Sequence, residues 1–250
     1  MLEKQRYDLI IRELEQNESI SVQRLMELTH VSRSTLRRDI DHLESQKMLT
    51  RIHGGVIRYL PSSRISDKKE KTLAEKKRIA LAARKLLKPG DTILLGGGST
   101  VLEFARLLAD ITPLYAATHD IRTACVLADF SNLDLTVMGG NLLKGHYSLH
   151  GYFTEYTINR IHADKAFIGI GAVNLQCGYM SLSSIEMQTA QSLLQAANQK
   201  IILCDHTKFD GTGLASICHL HEIDLFITGT EADPAQLEKL REAGVEVQTV

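Results

Sequence analysis

The sequence holds no tryptophan, only four prolines and four cysteines among 250 residues, and just 5% aromatic residues. No apolar run approaches the ~20 residues that a membrane-spanning helix requires. The opening MLEKQRYDLI is charged where a secretory signal would be apolar. Cys125, Cys177, Cys204 and Cys218 are scattered, with no CxxC spacing. That argues against a disulfide framework and for unpaired thiols in a reducing, cytoplasmic setting. The GxSxG, HExxH and GxGxxG patterns and the GK[ST] step of a Walker loop are missing as well.

What is present is an ordinary apolar fraction of 44%, enough for a sizeable core, on a chain long enough for two domains. Charge is divided unevenly. Residues 1–78 carry 17 Lys and Arg against 12 Asp and Glu, whereas residues 79–250 carry 12 against 18. A basic front suits a polyanionic partner, although a solvated charged face has the same composition.

The front reads as three helices. EKQRYDLIIRELEQN places Leu9, Ile10 and Leu14 at near-helical spacing, and ISVQRLMELTH follows with Ser21 as a plausible N-cap. In HVSRSTLRRDIDHLE, Ser32 caps a third helix whose Leu36, Ile40 and Leu43 form one apolar stripe. Ser34 and Arg38 point away from that stripe and Arg37 flanks it. Arginine forks suit phosphate oxygens and guanine edges. The break at Thr29–Val31 separates two helices as a helix-turn-helix requires. KMLTRIHGGVIRY then suggests a hairpin with Gly54-Gly55 at its turn, which would bring Arg51, His53 and Arg58 near phosphates. The organisation expected is a winged helix-turn-helix over residues 1–58, a linker over 59–75 that runs into a helix, and an α/β domain over 76–250.

That rear domain alternates apolar strands (91–95, 114–118, 133–138, 165–170, 200–205 and 224–229) with helical patterns, which implies a mostly parallel sheet covered on both faces. Ligands of such sheets bind beyond the carboxyl ends of the strands. The first of these ends is GGGST, Gly96, Gly97, Gly98, Ser99 and Thr100. Its glycines allow backbone N–H groups close to an anion, and its hydroxyls add donors. A tight strand-to-helix turn has the same look. Asp120, Gly140, Gly171 and Lys208 stand at other strand ends, and the two charged ones read either as ligand contacts or as surface charges. Glu186 lines a pocket or closes the capping box SSIE begun by Ser183. His146 with His150, and His219 with His221, have ligand-like spacing, but no matching cysteine or carboxylate cluster accompanies them, so no metal and no cofactor is expected.

VSRSTLRRDIDHLESQKMLTRIHGGVIR closely resembles the N-terminal signature of the DeoR family of bacterial transcriptional regulators, with Arg37-Arg38-Asp39 and RIHGG its most specific steps. GDTILLGGGSTV, VMGG, KAFIGIGAV and CDHTKF resemble, in order, the effector domain of that family, which is similar to ribose-5-phosphate isomerase. The resemblance runs over nearly the whole chain. It implies a repressor of sugar-utilisation genes, a dimer or larger homo-oligomer, released from double-stranded operator DNA by a phosphorylated sugar. Ser32, Arg33, Ser34, Thr35, Arg37, Arg38, Arg51 and His53 would face DNA, Gly97 to Thr100 would hold the phosphate, and Lys208 would sit beside the ligand. Two steps depart from the family's usual pattern: Arg33, where a small polar or acidic residue is usual, and His119-Asp120, where Asn and Ser are usual. The competing reading is a sugar-phosphate isomerase with Glu186 as base and Lys208 as electrophile. It leaves the first sixty residues without a role. An activator would carry the same motifs, since the sign of regulation depends on operator position.

Overall fold

The computed structural model describes residues 3–250 apart from 17–18, 47, 53–54, 59–61, 132, 210 and 212. It divides into two compact units, Met1–Glu70 and Lys71–Val250. The first is built from α1 (Glu3–Gln16), β1 (Ser19–Ser21), α2 (Val22–Thr29), α3 (Arg33–Ser45), β2 (Leu49–Ile52) and β3 (Gly55–Arg58). Ser21 and Ser32 cap α2 and α3 by accepting from the amides of Arg24 and Thr35 at 3.1 and 3.2 Å. Between them His30 turns left-handed (φ 53°), and its N–H closes α2 on the Met26 carbonyl. The stripe Leu36, Ile40, Leu43 packs on Ile10, Leu14, Leu25, Leu49 and Val56. Asp39 shares that buried side. Arg6 reaches it with a two-pronged fork, Nε to Oδ2 at 2.7 Å and Nη2 to Oδ1 at 2.8 Å, and so ties α1 to α3.

Strand β1 has no counterpart in the sequence reading. It pairs antiparallel with β3, giving the sheet order β1-β3-β2. Gly55 belongs to β3 rather than to the turn, because a Cβ there would collide with the Ile20 carbonyl oxygen of β1. Gly54 and His53 lie outside the described residues. The stretch expected as a linker over 59–75 is helical from Ser62, within α4 (Ser62–Arg84).

The second unit continues with β4 (Thr92–Leu95), α5 (Ser99–Ala105), β5 (Leu114–Thr118), α6 (Ile121–Ala128), β6 (Leu133–Val137), β7 (Asn141–Leu143), β8 (Ser148–His150), α7 (Tyr152–Ile158) and β9 (Ala163–Ile168). Then follow β10 (Ala172–Asn174), β11 (Gly178–Ser181), α8 (Ser184–Gln195), β12 (Ala197–Leu203), β13 (Ala215–Cys218), β14 (Leu225–Thr228), α9 (Pro234–Glu242) and β15 (Glu246–Thr249). Seven strands form one parallel sheet in the order β15-β14-β12-β9-β4-β5-β6. Its central strands send alternate residues to two cores. Leu94, Ala166, Ile168, Ile202 and Phe226 face one side; Ile93, Leu95, Phe167, Ile201 and Ile227 face the other, against Ile79 and Ala83 of α4. A small antiparallel sheet, β10-β11-β13, and the β7–β8 hairpin stand apart from it.

After β4 the chain winds outward to β5 and β6, then returns to place β9 on the other flank of β4. The reversal opens a crevice beyond the carboxyl ends of β4 and β9. We expect Asp39→Ala, which removes the buried carboxylate that holds the Arg6 fork, to destabilise the first unit by about 3 kcal/mol. Loss of hydrogen-exchange protection in α3, with the sheet amides of residues 92–118 unchanged, would show it.

Candidate functional site

In the first unit, α3 presents Ser32, Arg33, Ser34, Arg37 and Arg38 on its exposed face, with Thr35 half-buried. Ser32 and Thr35 also share the cap, their hydroxyls 3.0 Å apart. Arg51 lies in β2 opposite Val56, and its side chain lies outside the described residues, as does His53 altogether. The outward face of α3 is thus cationic and hydroxylated, while the Asp39 acid is turned inward to Arg6.

In the second unit a cavity of about 340 Å³ fills the crevice between β4 and β9. Its size suits a small metabolite. Gly96, Gly97, Gly98, Ser99 and Thr100 line it from β4 and α5, Gly171 from the turn after β9, Glu186 from α8 and Lys208 from the short turn after β12. Glycine is required here by close approach. A Cβ on Gly169 would lie 2.9 Å from the Gly97 carbonyl oxygen, and Gly98 has φ 119°. No side chain caps α5, which leaves its first amides available.

Two expected residues are placed differently. Asp120 is fully buried and does not line the cavity. Its carboxylate is taken up in capping α6, accepting from the amides of Arg122 and Thr123 at 2.9 and 3.0 Å, and in holding Arg122 Nη2 at 2.7 Å. Gly140 is also set back, packed against Thr154 and His150 where any Cβ would collide.

The structure adds residues that the sequence reading did not assign to the cavity. Arg122 lines it, steered by Asp120, with its guanidinium 5.3 Å from the Tyr147 ring centre. His146, Ser148 and His150 enter from the β7–β8 hairpin, whose short strands carry no clear alternation. His146 Nδ1 meets Glu186 at 2.7 Å, and Ser183 donates to the same carboxylate at 2.9 Å, so Glu186 is both capping partner and pocket lining. His150 is engaged on both nitrogens, by Ser148 at 2.8 Å and Thr189 at 2.9 Å. His119 is buried among these groups, and desolvation together with the His150 charge pushes its pKa down to about 4. Cys204, also lining, has its thiol pushed well up by burial.

The turn that bears Lys208 is anchored to α4. The buried Glu75 carboxylate accepts from the His206 amide at 2.8 Å and faces His206 Nδ1 at 2.7 Å, while Lys76 sits 3.5 Å from Asp205. Among the described residues, Glu75, Asp205 and His206 form the group whose potential metal-ligand atoms converge, within 4.8 Å. The hydrogen bonds and the nearby ammonium already occupy those atoms. His219 and His221 stack on each other with centres 5.8 Å apart.

Family models agree with both halves of this geometry. The model for the DeoR-like helix-turn-helix domain matches residues 6–60, and that for the DeoR C terminal sensor domain matches residues 71–230. The chain belongs to the DeoR family. The HTH-type transcriptional regulator GolR of Listeria innocua is 31% identical, over 98% of this chain and 97% of its own length. The HTH-type transcriptional repressor GlcR of Bacillus subtilis is 31% identical, over 99% and 96%. Among solved structures, a ribose 5-phosphate isomerase from Methanocaldococcus jannaschii aligns over 54% of this chain and 53% of its own, with 20% identity and a TM-score of 0.40. This DeoR-family protein is a DNA-binding transcriptional regulator, and its α/β unit is a sensor domain. No described helix is long and apolar enough to cross a membrane.

Burial of His119 sets a pH dependence. Between its ordinary 6.5 and about 4, the unfolded chain binds a proton at this position that the native sensor does not. Stability is therefore full above pH 6.5 and falls as pH drops towards 4, by about 3 kcal/mol from this group. His119→Phe should flatten most of that slope in urea unfolding series run from pH 4 to 7.

Proposed function

We propose that this regulator represses carbohydrate-utilisation genes and that a phosphorylated sugar, bound in the sensor cavity, releases it from operator DNA. The observation that carries this reading is the cavity at the strand reversal. The amides of Gly97–Thr100 and the Ser99 and Thr100 hydroxyls form its phosphate end, with Lys208 as countercharge. α5 has only seven residues, so the binding comes from these local donors rather than from a long helix dipole. Relatives named as regulators and repressors support the sign of control. The isomerase reading loses its base, because Glu186 is held by His146 and Ser183.

On the DNA side α3 enters the major groove. Ser34, Arg37 and Arg38 reach base edges or phosphates, and Ser32, Arg33 and Thr35 position the helix start. Arg51 and His53 of the wing add backbone contacts. Two copies, as a homodimer or larger assembly, read two half-sites about one helical turn or a multiple apart. The effector shifts populations: it binds the weak-DNA conformation more tightly, by about 1–3 kcal/mol for a useful switch. Drawing Lys208 onto a ligand acts on a turn that Glu75 and Lys76 anchor to α4, and α4 runs back without interruption to Ser62.

The reading is tested by a thermal-shift screen of sugar phosphates on the full chain, followed by operator gel shifts with each stabilising compound. Arg38→Ala should weaken operator binding by about tenfold or more and lower the salt dependence by about one phosphate contact, at unchanged thermal stability. Unaltered affinity at moderate salt would remove α3 from the groove. Changing Ser99 and Thr100 together to Val should preserve operator binding and eliminate release by the stabilising compound; release that persists would place the effector elsewhere.

A further inference from the structure

His119 is the polar side chain of the cavity that the protein itself leaves unsatisfied. It is 95% buried, follows β5 directly and lines the cavity, yet its Nδ1 has no hydrogen-bond partner among the described residues. Its neighbour His150, with ring centres 5.3 Å apart, shows the contrast, since both of its nitrogens are bonded within the protein. Neither ring nitrogen of His119 makes a hydrogen bond among the described residues, and with Nδ1 buried the capacity left for a ligand is at Nε2.

The tautomer follows from the same geometry. Nδ1 is sealed with no acceptor in reach, and a sealed N–H is less tolerable than a sealed lone pair. The proton therefore sits on Nε2. That nitrogen faces Gly97: a Cβ built on Gly97 would lie 3.8 Å from it. Burial keeps the ring neutral, so it offers a hydrogen bond without a charge.

The remaining ionisable groups of the lining are already paired. Arg122 is held by Asp120 at 2.7 Å, Glu186 by His146 at 2.7 Å and Asp205 by Lys76 at 3.5 Å. Among the described residues, Lys208 is the lining cation with no carboxylate within ion-pair distance. One phosphoryl group matches one such lysine and the Gly97–Thr100 amides. A second would lie among the Glu186 and Asp205 carboxylates and a neutral imidazole, where the remaining lining guanidinium, Arg122, is already offset by Asp120.

We infer that His119 is a ligand-binding, specificity-determining residue of this cavity: its Nε2–H donates to a ligand oxygen beside Gly97, and the cavity takes a polyol bearing one phosphoryl group in preference to one bearing two. The inference rests on the cavity being the effector site and deepens that reading.

The test uses full-length protein and calorimetric titration with inorganic phosphate, a set of pentose and hexose monophosphates, and fructose 1,6-bisphosphate. The best monophosphate should bind at least tenfold more tightly than the bisphosphate. His119→Phe, of similar bulk, should weaken that monophosphate by tenfold or more, and His119→Gln, which keeps an N–H near the same place, should restore part of the loss. Long-range proton–nitrogen NMR should show His119 as the Nε2–H tautomer, with that resonance shifting on ligand addition. Equal monophosphate affinity in His119→Phe and wild type, or a proton on Nδ1, would overturn the role of His119. A bisphosphate that binds as tightly as any monophosphate would overturn the ligand class. If wild-type protein binds none of the probes, the effector-site reading fails together with this one; if binding is lost with Ser99 and Thr100 changed to Val but not with His119→Phe, the effector site stands and the inference about His119 alone falls.

Discussion

The sensor unit depends on one close approach of backbone to backbone. β4 and β9 lie side by side with the chain leaving them in opposite directions, and Gly97 and Gly169 meet where they part. Any side chain on Gly169 would press on the Gly97 carbonyl and force the two turns apart. Because Gly169 is glycine, the turns stay close; the amides after Gly98 remain uncapped, and the crevice between the turns narrows to the size of a small molecule. The hairpin, α8 and the turn bearing Lys208 then only have to close the sides.

Around that crevice the structure spends charge in pairs. Asp120, expected to meet ligand hydroxyls, instead sets the direction of Arg122 and fixes the start of α6. Glu186 holds His146, and Glu75 holds His206. Pairing removes the cost of isolated charges in a half-buried site and leaves few groups free to choose a ligand. The same economy operates in the first unit, where Asp39 is drawn inward by Arg6 so that its neighbours Arg37 and Arg38 face outward. The RRD step thus combines a structural acid with an exposed basic surface on adjacent residues.

Much of this was legible in the chain. The apolar stripe of α3, the caps at Ser21 and Ser32 and the six strand cores came from periodicity and turn residues, which depend on local preferences alone. Eight of the ten residues proposed for the effector face the cavity, seven of them beyond the carboxyl ends of β4, β9 and β12, where ligands of parallel sheets bind. β1, the β7–β8 hairpin, β10, β11, β13 and the sheet-edge strand β15 escaped notice. Each is three or four residues long, and short strands carry no period that distinguishes them from loops.

By itself the sequence determined the longer helices and six strands of the main sheet, the apolar stripe of α3, and that a basic helix-turn-helix precedes a glycine-bearing parallel sheet of the DeoR kind. Those properties are written in neighbours within one or two turns of chain. Only the tertiary structure decided that Asp120 is a support and not a contact, that Gly140 lies behind the wall, that Arg122 and three histidines share the cavity, and that His119 is left without a partner. Each of these turns on which distant residue fills a hydrogen bond, and that is settled by packing, not by spacing along the chain.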